Sequence, residues 1–437
     1  MDKREYLSLV TEQIRCKKAR PMVEQELQDH IEDQQAAYEE SGLSKEEALS
    51  EAVAQMGDPV EVGTAMDRIH RKRVDYRSLT LIAVLILGGV LLQIGMGQDP
   101  ASVCINAILQ YVVMAAVMFL DYSILAKHPV GVWIVSMVVL ALWSGVFDQF
   151  WFSRPGTYGT NVHVLHVILL LLYAALVYAY REKGVRGILA CLGWLMLGSF
   201  LLSRLYVSLM AACCFFITSI ITLSFAVHKG WFGEKRKGRQ LLVWGIWSVP
   251  AAVAVAALYM GWIGRAYEID RVRSFLHPAT DVAGNNYVLN TMRKSLSELK
   301  LFSGILQGEP FEGWYSFSYI LERFGIAAGV LVVVILSVLL GKMLSKMIKQ
   351  KNRLGVLIGV SCMGFLLMAT VLHVCVSLTI LPATSAYLPF LTNDRSGSIA
   401  SGLLFGMYLS VYRNDPVLCL DKKNRCAIMS VSKTEEG

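Results

Sequence analysis

The chain is 437 residues long, 55% hydrophobic and 17% charged, with a mean hydropathy of +0.49, and this excludes a soluble globule: the solvent for most of it must be lipid. The net charge of +7 sits in short links beside apolar runs, the pattern of cytoplasmic loops on anionic lipid, so it argues against a nucleic-acid partner. The nine cysteines form no CxxC or Cys/His cluster and read as reduced packing residues, with no metal site among them.

Residues 1–75 are charged and predict a small cytoplasmic helical domain. Leu7, Val10 and Ile14 share one helix face, and Val23, Leu27 and Ile31 a second. Gly42 stops that helix, and Ser44 with Glu47 is a capping box that opens a third over Ala48, Ala52 and Met56. Gly57-Asp58-Pro59 breaks the third, and a basic helix over 60–72 leads to the membrane. The stretches 26–32 (Glu-Leu-Gln-Asp-His-Ile-Glu), 42–48 (Gly-Leu-Ser-Lys-Glu-Glu-Ala) and 56–59 (Met-Gly-Asp-Pro) resemble the permease prefix domain, which implies a docking or regulatory module without chemistry of its own.

The rest predicts an all-α polytopic bundle. Apolar runs of about 20 residues, enough to cross a bilayer core, fall near 79–97, 104–124, 130–150, 163–181, 186–203, 205–227, 241–263, 318–342, 354–380 and 397–413. Ten spans with alternate links rich in Lys and Arg predict that both termini are cytoplasmic, including the tail 414–437. The link 264–317 is long and mixed in composition, so it is expected to be a folded outer loop.

Three stretches carry a resemblance. The first is Arg271-Val272-Arg273 through Phe275-Leu276-His277-Pro278 to Asp281, Gly284 and Tyr287. The second is Tyr319 to Gly325. The third is Leu381-Pro382-Ala383-Thr384, then Leu388-Pro389-Phe390, Ser396 and Gly402-Leu403-Leu404. With the ten-span pattern they resemble the SEDS family, the FtsW/RodA/SpoVE proteins of cell-wall synthesis, cell division and shape. That resemblance implies glycan polymerisation from a lipid-linked disaccharide-peptide precursor at the outer membrane face, beside a class B penicillin-binding transpeptidase. An acid would serve as general base, and basic residues or a divalent cation would offset the departing pyrophosphate.

The match departs from the family where chemistry is expected. Counting back from Gly325 places Trp314, not Asp, at the catalytic position; the closest carboxylates are Glu312 and Glu309. Glu312 is therefore the candidate base. Arg271, Arg273, Asp281, His373, Thr384 and Ser396 are the candidate substrate-binding residues, with Arg293 and Lys294 as further cations. His373 stands where the family has Asn, and Cys375 where it has Gly. Asn393-Asp394-Arg395 replaces a flexible Tyr-Gly-Gly and introduces a potential ion pair. Against the polymerase stand two alternatives: a catalytically inactive scaffold or regulator of wall assembly, and a permease.

Overall fold

The computed structural model describes residues 1–17, 19–138, 162–205, 209–233, 236–259, 272–277, 287–302, 315–382 and 387–415. The chain divides into two compact units: one holds Met1–Asp75, Gln350–Gly355 and the described residues from Val411 onward; the other holds Tyr76–Lys349 and Val356–Ser410.

The first unit is built on α1 (Lys3–Gln13), α2 (Arg20–Glu40), α3 (Lys45–Gln55) and α4 (Pro59–Ile69). Tyr6, Leu7, Val10 and Ile14 meet Val23, Leu27 and Ile31 in its core, with Ala52 and Val53 closing one side. Each aliphatic side chain so buried contributes on the order of 2 kcal/mol. The capping box forms as read: Ser44 Oγ accepts the Glu47 amide, and the Glu47 carboxylate accepts the Ser44 amide at 3.2 Å. Asp58 caps α4 by accepting the Glu61 amide at 3.1 Å, with Pro59 in the first turn where no N–H is needed. The Tyr6 hydroxyl donates to the Met56 carbonyl at 3.1 Å, and burial, helped by Asp58, pushes its pKa up to about 12.

The second unit is built of helices among the described residues: α5 (Tyr76–Gly95), α6 (Pro100–Phe119), α7 (Pro129–Val138), α8 (Val162–Tyr180), α9 (Gly184–Leu205), α10 (Leu209–His228), α11 (Arg236–Tyr259), a short α12 over 272–276, α13 (Tyr287–Ser297), α14 (Ser316–Phe324), α15 (Ile326–Ile348), and all but the ends of α16 (Arg353–Ser377) and α17 (Arg395–Asn414), whose residues 353–355 and 411–414 belong to the first. Among the described residues six helices are long and apolar enough to cross a membrane: α5, α6, α8, α9, α15 and α16. The most enclosed are α8 and α16; α5, α6 and α15 show aliphatic faces outward, as lipid-facing helices do.

The apolar run expected as one span over 318–342 is two helices. Gly325 separates α14 from α15 at φ +87°, a left-handed conformation that costs a residue with a Cβ and is free for glycine. A Cβ there would also meet the Leu301 carbonyl oxygen at 2.8 Å. The first amides of α15 find acceptors outside the helix, Ile326 on Lys300 at 3.1 Å and Ala327 on Leu301 at 3.0 Å. The break therefore docks the expected long loop onto the start of α15. The described part of that loop contains the two helices α12 and α13, followed by a non-helical stretch over 298–302.

Candidate functional site

Polar side chains collect at one end of the second unit, where α5 ends and α6, α8 and α17 begin. Tyr387 is the hub. Its ring lies 4.7 Å from that of His163, at the start of α8, and it borders a polar crevice with Gln93, Asn106, Gln110, Ser398 and Ser401. Asn106 Nδ2 donates to Asn393 Oδ1 at 2.7 Å, and Asn393 Nδ2 reaches Gln98 Oε1 at 3.5 Å, so a relay of amides links α6 to the segment before α17.

Asp394 stands beside this relay. Its carboxylate accepts the Gly397 amide at 2.6 Å and its carbonyl the Ser398 amide at 2.8 Å, which is the geometry of a helix N-cap. The ion pair with Arg395 that the sequence suggested is not formed; Arg395 is exposed. The physical reason is local: an N-cap carboxylate satisfies an orphan amide three residues on, whereas an exposed pair gains little in water. Asp394 also lies close enough to His163 for the two to interact electrostatically.

A second cluster packs alongside. Cys214 of α10, Met292 of α13, Tyr315, and Leu372 and Val376 of α16 form one buried group. His373 is fully buried beside it, its ring 6.0 Å from that of Tyr315. Its Nε2 accepts the Phe317 amide at 3.4 Å, in the first turn of α14. Nearby, Glu322 faces a small crevice with Ser295 and Ser318; burial holds its carboxyl above the usual range, and a hydrogen bond from Ser295 partly offsets this.

Three of the candidate catalytic and substrate-binding residues read from sequence are described, as are the further cations Arg293 and Lys294 on α13. His373 is buried in packing, as given above. Ser396 is buried in the first turn of α17, its Oγ without a hydrogen-bond partner. Arg273 is exposed on α12, which is tied to α13 by the Arg293 guanidinium 5.5 Å over the Phe275 ring. Glu312, Glu309, Trp314, Arg271, Asp281 and Thr384 lie outside the described residues. Among the described residues no group of three His, Cys, Asp or Glu side chains is placed to hold a metal.

The crevice amides were not singled out from sequence. Asn106 and Gln110 sit at i, i+4 in an otherwise apolar run, and buried polar groups at membrane depth are costly enough to mark a cavity.

No family model matches the chain, and no curated protein does. Solved structures do. A chain from a peptidoglycan synthase complex that coordinates polymerization and crosslinking is 20% identical over 80% of this chain and 99% of its own, with a TM-score of 0.60. The rod shape determining protein RodA of Thermus thermophilus is 16% identical over 78% of this chain and 97% of its own, with a TM-score of 0.51. An alanine-substituted form of the same protein gives 16% and a TM-score of 0.53, over 78% and 98%. Nearly the whole of each neighbour is matched: this membrane protein has the RodA fold.

Proposed function

We propose that this chain is a divergent SEDS-type protein of bacterial cell-wall synthesis, which receives a lipid-linked disaccharide-peptide precursor at the polar end of its bundle. The observation that carries this reading is the fold, matched over almost the full length of RodA and of the synthase chain. The physics suits such a precursor: its tail stays in lipid along the aliphatic faces of α5, α6 and α15, while its sugars lie where Tyr387, Asn106 and Asn393 gather. That end would face outward, with both termini and residues 1–75 in the cytoplasm of a bacterial cell.

The reaction we propose is glycan polymerisation. A carboxylate takes the proton of an acceptor sugar hydroxyl; that oxygen forms the new bond to the donor's anomeric carbon as the bond to pyrophosphate breaks. Asp394 is committed to capping α17. Glu312 is the proposed base, with Arg271, Arg273 and Arg293 offsetting charge on the leaving pyrophosphate. Asp281, Thr384 and Ser396 would position the substrate, and His373 would position α14. A class B penicillin-binding transpeptidase is the proposed partner.

A second reading is favoured by Trp314, at the position where the family carries its acid: a scaffold that keeps the fold and binds precursor or partner without catalysis. The test is polymerisation of purified lipid-linked precursor by the full-length protein, with and without a transpeptidase, beside Glu312→Gln. Product that vanishes in the variant supports the polymerase. No product from folded protein that still binds the precursor supports the scaffold, and no binding at all would sink both.

A further inference from the structure

The α8–α9 link, residues 181–183, joins two candidate membrane spans that end at Tyr180 and begin at Gly184, so it lies at the bilayer boundary. The link that follows α10 is tied to it. The Glu182 amide donates to the Trp231 carbonyl at 3.0 Å, and Lys183 and Phe232 both close on Gly187, where an added Cβ would stand 3.1 and 3.2 Å from them. Glu182 adopts φ +69°, a left-handed conformation unusual for a residue with a side chain, so the joint is held against local strain. Cations gather on it. The Arg181 guanidinium lies 3.7 Å over the Tyr178 ring, the Lys183 ammonium 4.5 Å over Tyr180 and the Lys229 ammonium 5.6 Å over Phe225. The Arg239 guanidinium packs against Gly230. The rings are themselves positioned: the Trp194 indole N–H donates to the Tyr180 hydroxyl at 3.4 Å, and Phe225 meets Trp231 edge-on at 6.0 Å. Among the described residues of the two links the one carboxylate is Glu182, 4.0 Å from Arg181.

A ring face orients an ammonium without neutralising it, so the exposed Lys183 and Lys229 keep their charge for an anion. At the mouth of two spans the anion at hand is the phosphodiester of a lipid headgroup. An acyl chain has a path beside it: Val185, Leu189, Leu197 and Phe200 run up one side of α9 from the joint, all exposed. We infer that the joint of the α8–α9 and α10–α11 links is a binding site for the headgroup of an anionic phospholipid. It differs from the general attraction of basic links to anionic lipid, because two links combine and aromatic rings fix the cations in place. Under the orientation proposed above, the lipid is one of the cytoplasmic leaflet. The site rests on the joint, and not on the polymerase reading.

The test is titration of the delipidated full-length protein in detergent with dioleoyl phosphatidylglycerol or dioleoyl phosphatidylcholine, with native mass spectrometry resolving each bound lipid. The expected result is a first phosphatidylglycerol that binds well ahead of phosphatidylcholine and is not displaced by inorganic phosphate. Lys183→Gln combined with Lys229→Gln should weaken that first step by about twenty-five-fold, roughly fivefold for each charge. Lys342→Gln combined with Lys349→Gln removes the same charge at the end of α15, outside the joint, and should leave it nearly unchanged. Equal losses in the two double variants would reduce the effect to general surface charge and overturn the site. Equal affinity for the two lipids would overturn it as well, and displacement by inorganic phosphate would assign the cations to a free anion instead of a headgroup. The contrast between the two lipids is read on the parent protein, so it decides the matter even where a variant fails to fold.

Discussion

His373 Nε2 accepts the amide of Phe317 at 3.4 Å across 56 residues of sequence, so a buried imidazole on α16 caps the N-terminus of α14. A helix N-terminus carries amides with no partner of its own, and this one is sealed from water. With Nε2 accepting, the ring proton sits on Nδ1. We predict that His373→Leu, which leaves the Phe317 amide unsatisfied, destabilises the protein by about 1–3 kcal/mol. His373→Gln, which returns an acceptor, should recover part of it. Thermal unfolding in detergent, with hydrogen exchange at residues 316–318, checks both. A leucine variant as stable as the parent, with unchanged exchange, would mean the bond contributes nothing.

Asp394 and Arg395 separate two explanations of one dipeptide. If the carboxylate acts as the cap of α17, Asp394→Ala loses about 1 kcal/mol, Asp394→Asn loses little because Asn caps as well, and Arg395→Ala stays within roughly 0.5 kcal/mol. An ion pair predicts something else: comparable losses for both alanine variants and for Asn. Unfolding midpoints of the three variants tell them apart.

The all-helical bundle was legible because membrane spans announce themselves by length and apolarity, and the capping box at Ser44 and Glu47 because its partners lie three residues apart. The same logic explains what was missed. Gly325 falls inside a run read as one span; the charged pair Glu322-Arg323 just before it hinted at an interruption, but its φ and the carbonyls of Lys300 and Leu301 fix where the chain breaks. Asn106 finds Asn393 across 287 positions, a pairing that no local pattern announces. Asp394 was read against its neighbour in sequence, whereas its partner is the amide three residues on. His373 was read only as a departure from the family; burial of the imidazole and its bond to Phe317 depend on where α14 packs.

Neighbouring glycines on α5 provide an internal control for backbone contact. A Cβ at Gly89 would overlap the carbonyl of Phe390, itself held at φ +72°, while a Cβ at Gly88 meets nothing within 4 Å. Gly88→Ala should therefore be neutral or gain up to about 1 kcal/mol from helix propensity. Gly89→Ala must push the 387–394 segment away, at a cost of about 1–3 kcal/mol, and should loosen the Asn106–Asn393 bond with it. Equal stability of the two variants would show that the close approach is not required.

In the first unit, His70 is 1% exposed, with Nδ1 donating to the Met66 carbonyl at 3.0 Å. Burial, helped by the nearby Lys351 ammonium and opposed by the Met66 bond, holds its pKa below the ordinary imidazole value. The unfolded chain therefore binds the proton more readily than the folded one, so the stability that neutral His70 contributes is present above about pH 6.5 and is lost as pH falls through the depressed value. Asp415 acts in the opposite sense. Its buried carboxyl is held above the usual range, although the amides of Asn352 and Lys351 pull it down, so its contribution is present at low pH and lost as pH rises through the raised value. Lowering pH from about 7.5 to about 5.5 spans the imidazole range and should speed hydrogen exchange in α4 once intrinsic rates are divided out. His70→Gln removes the titrating group and should flatten that response, whereas Asp415→Asn should leave it in place. A histidine variant with the parent's pH response would assign the effect to another group.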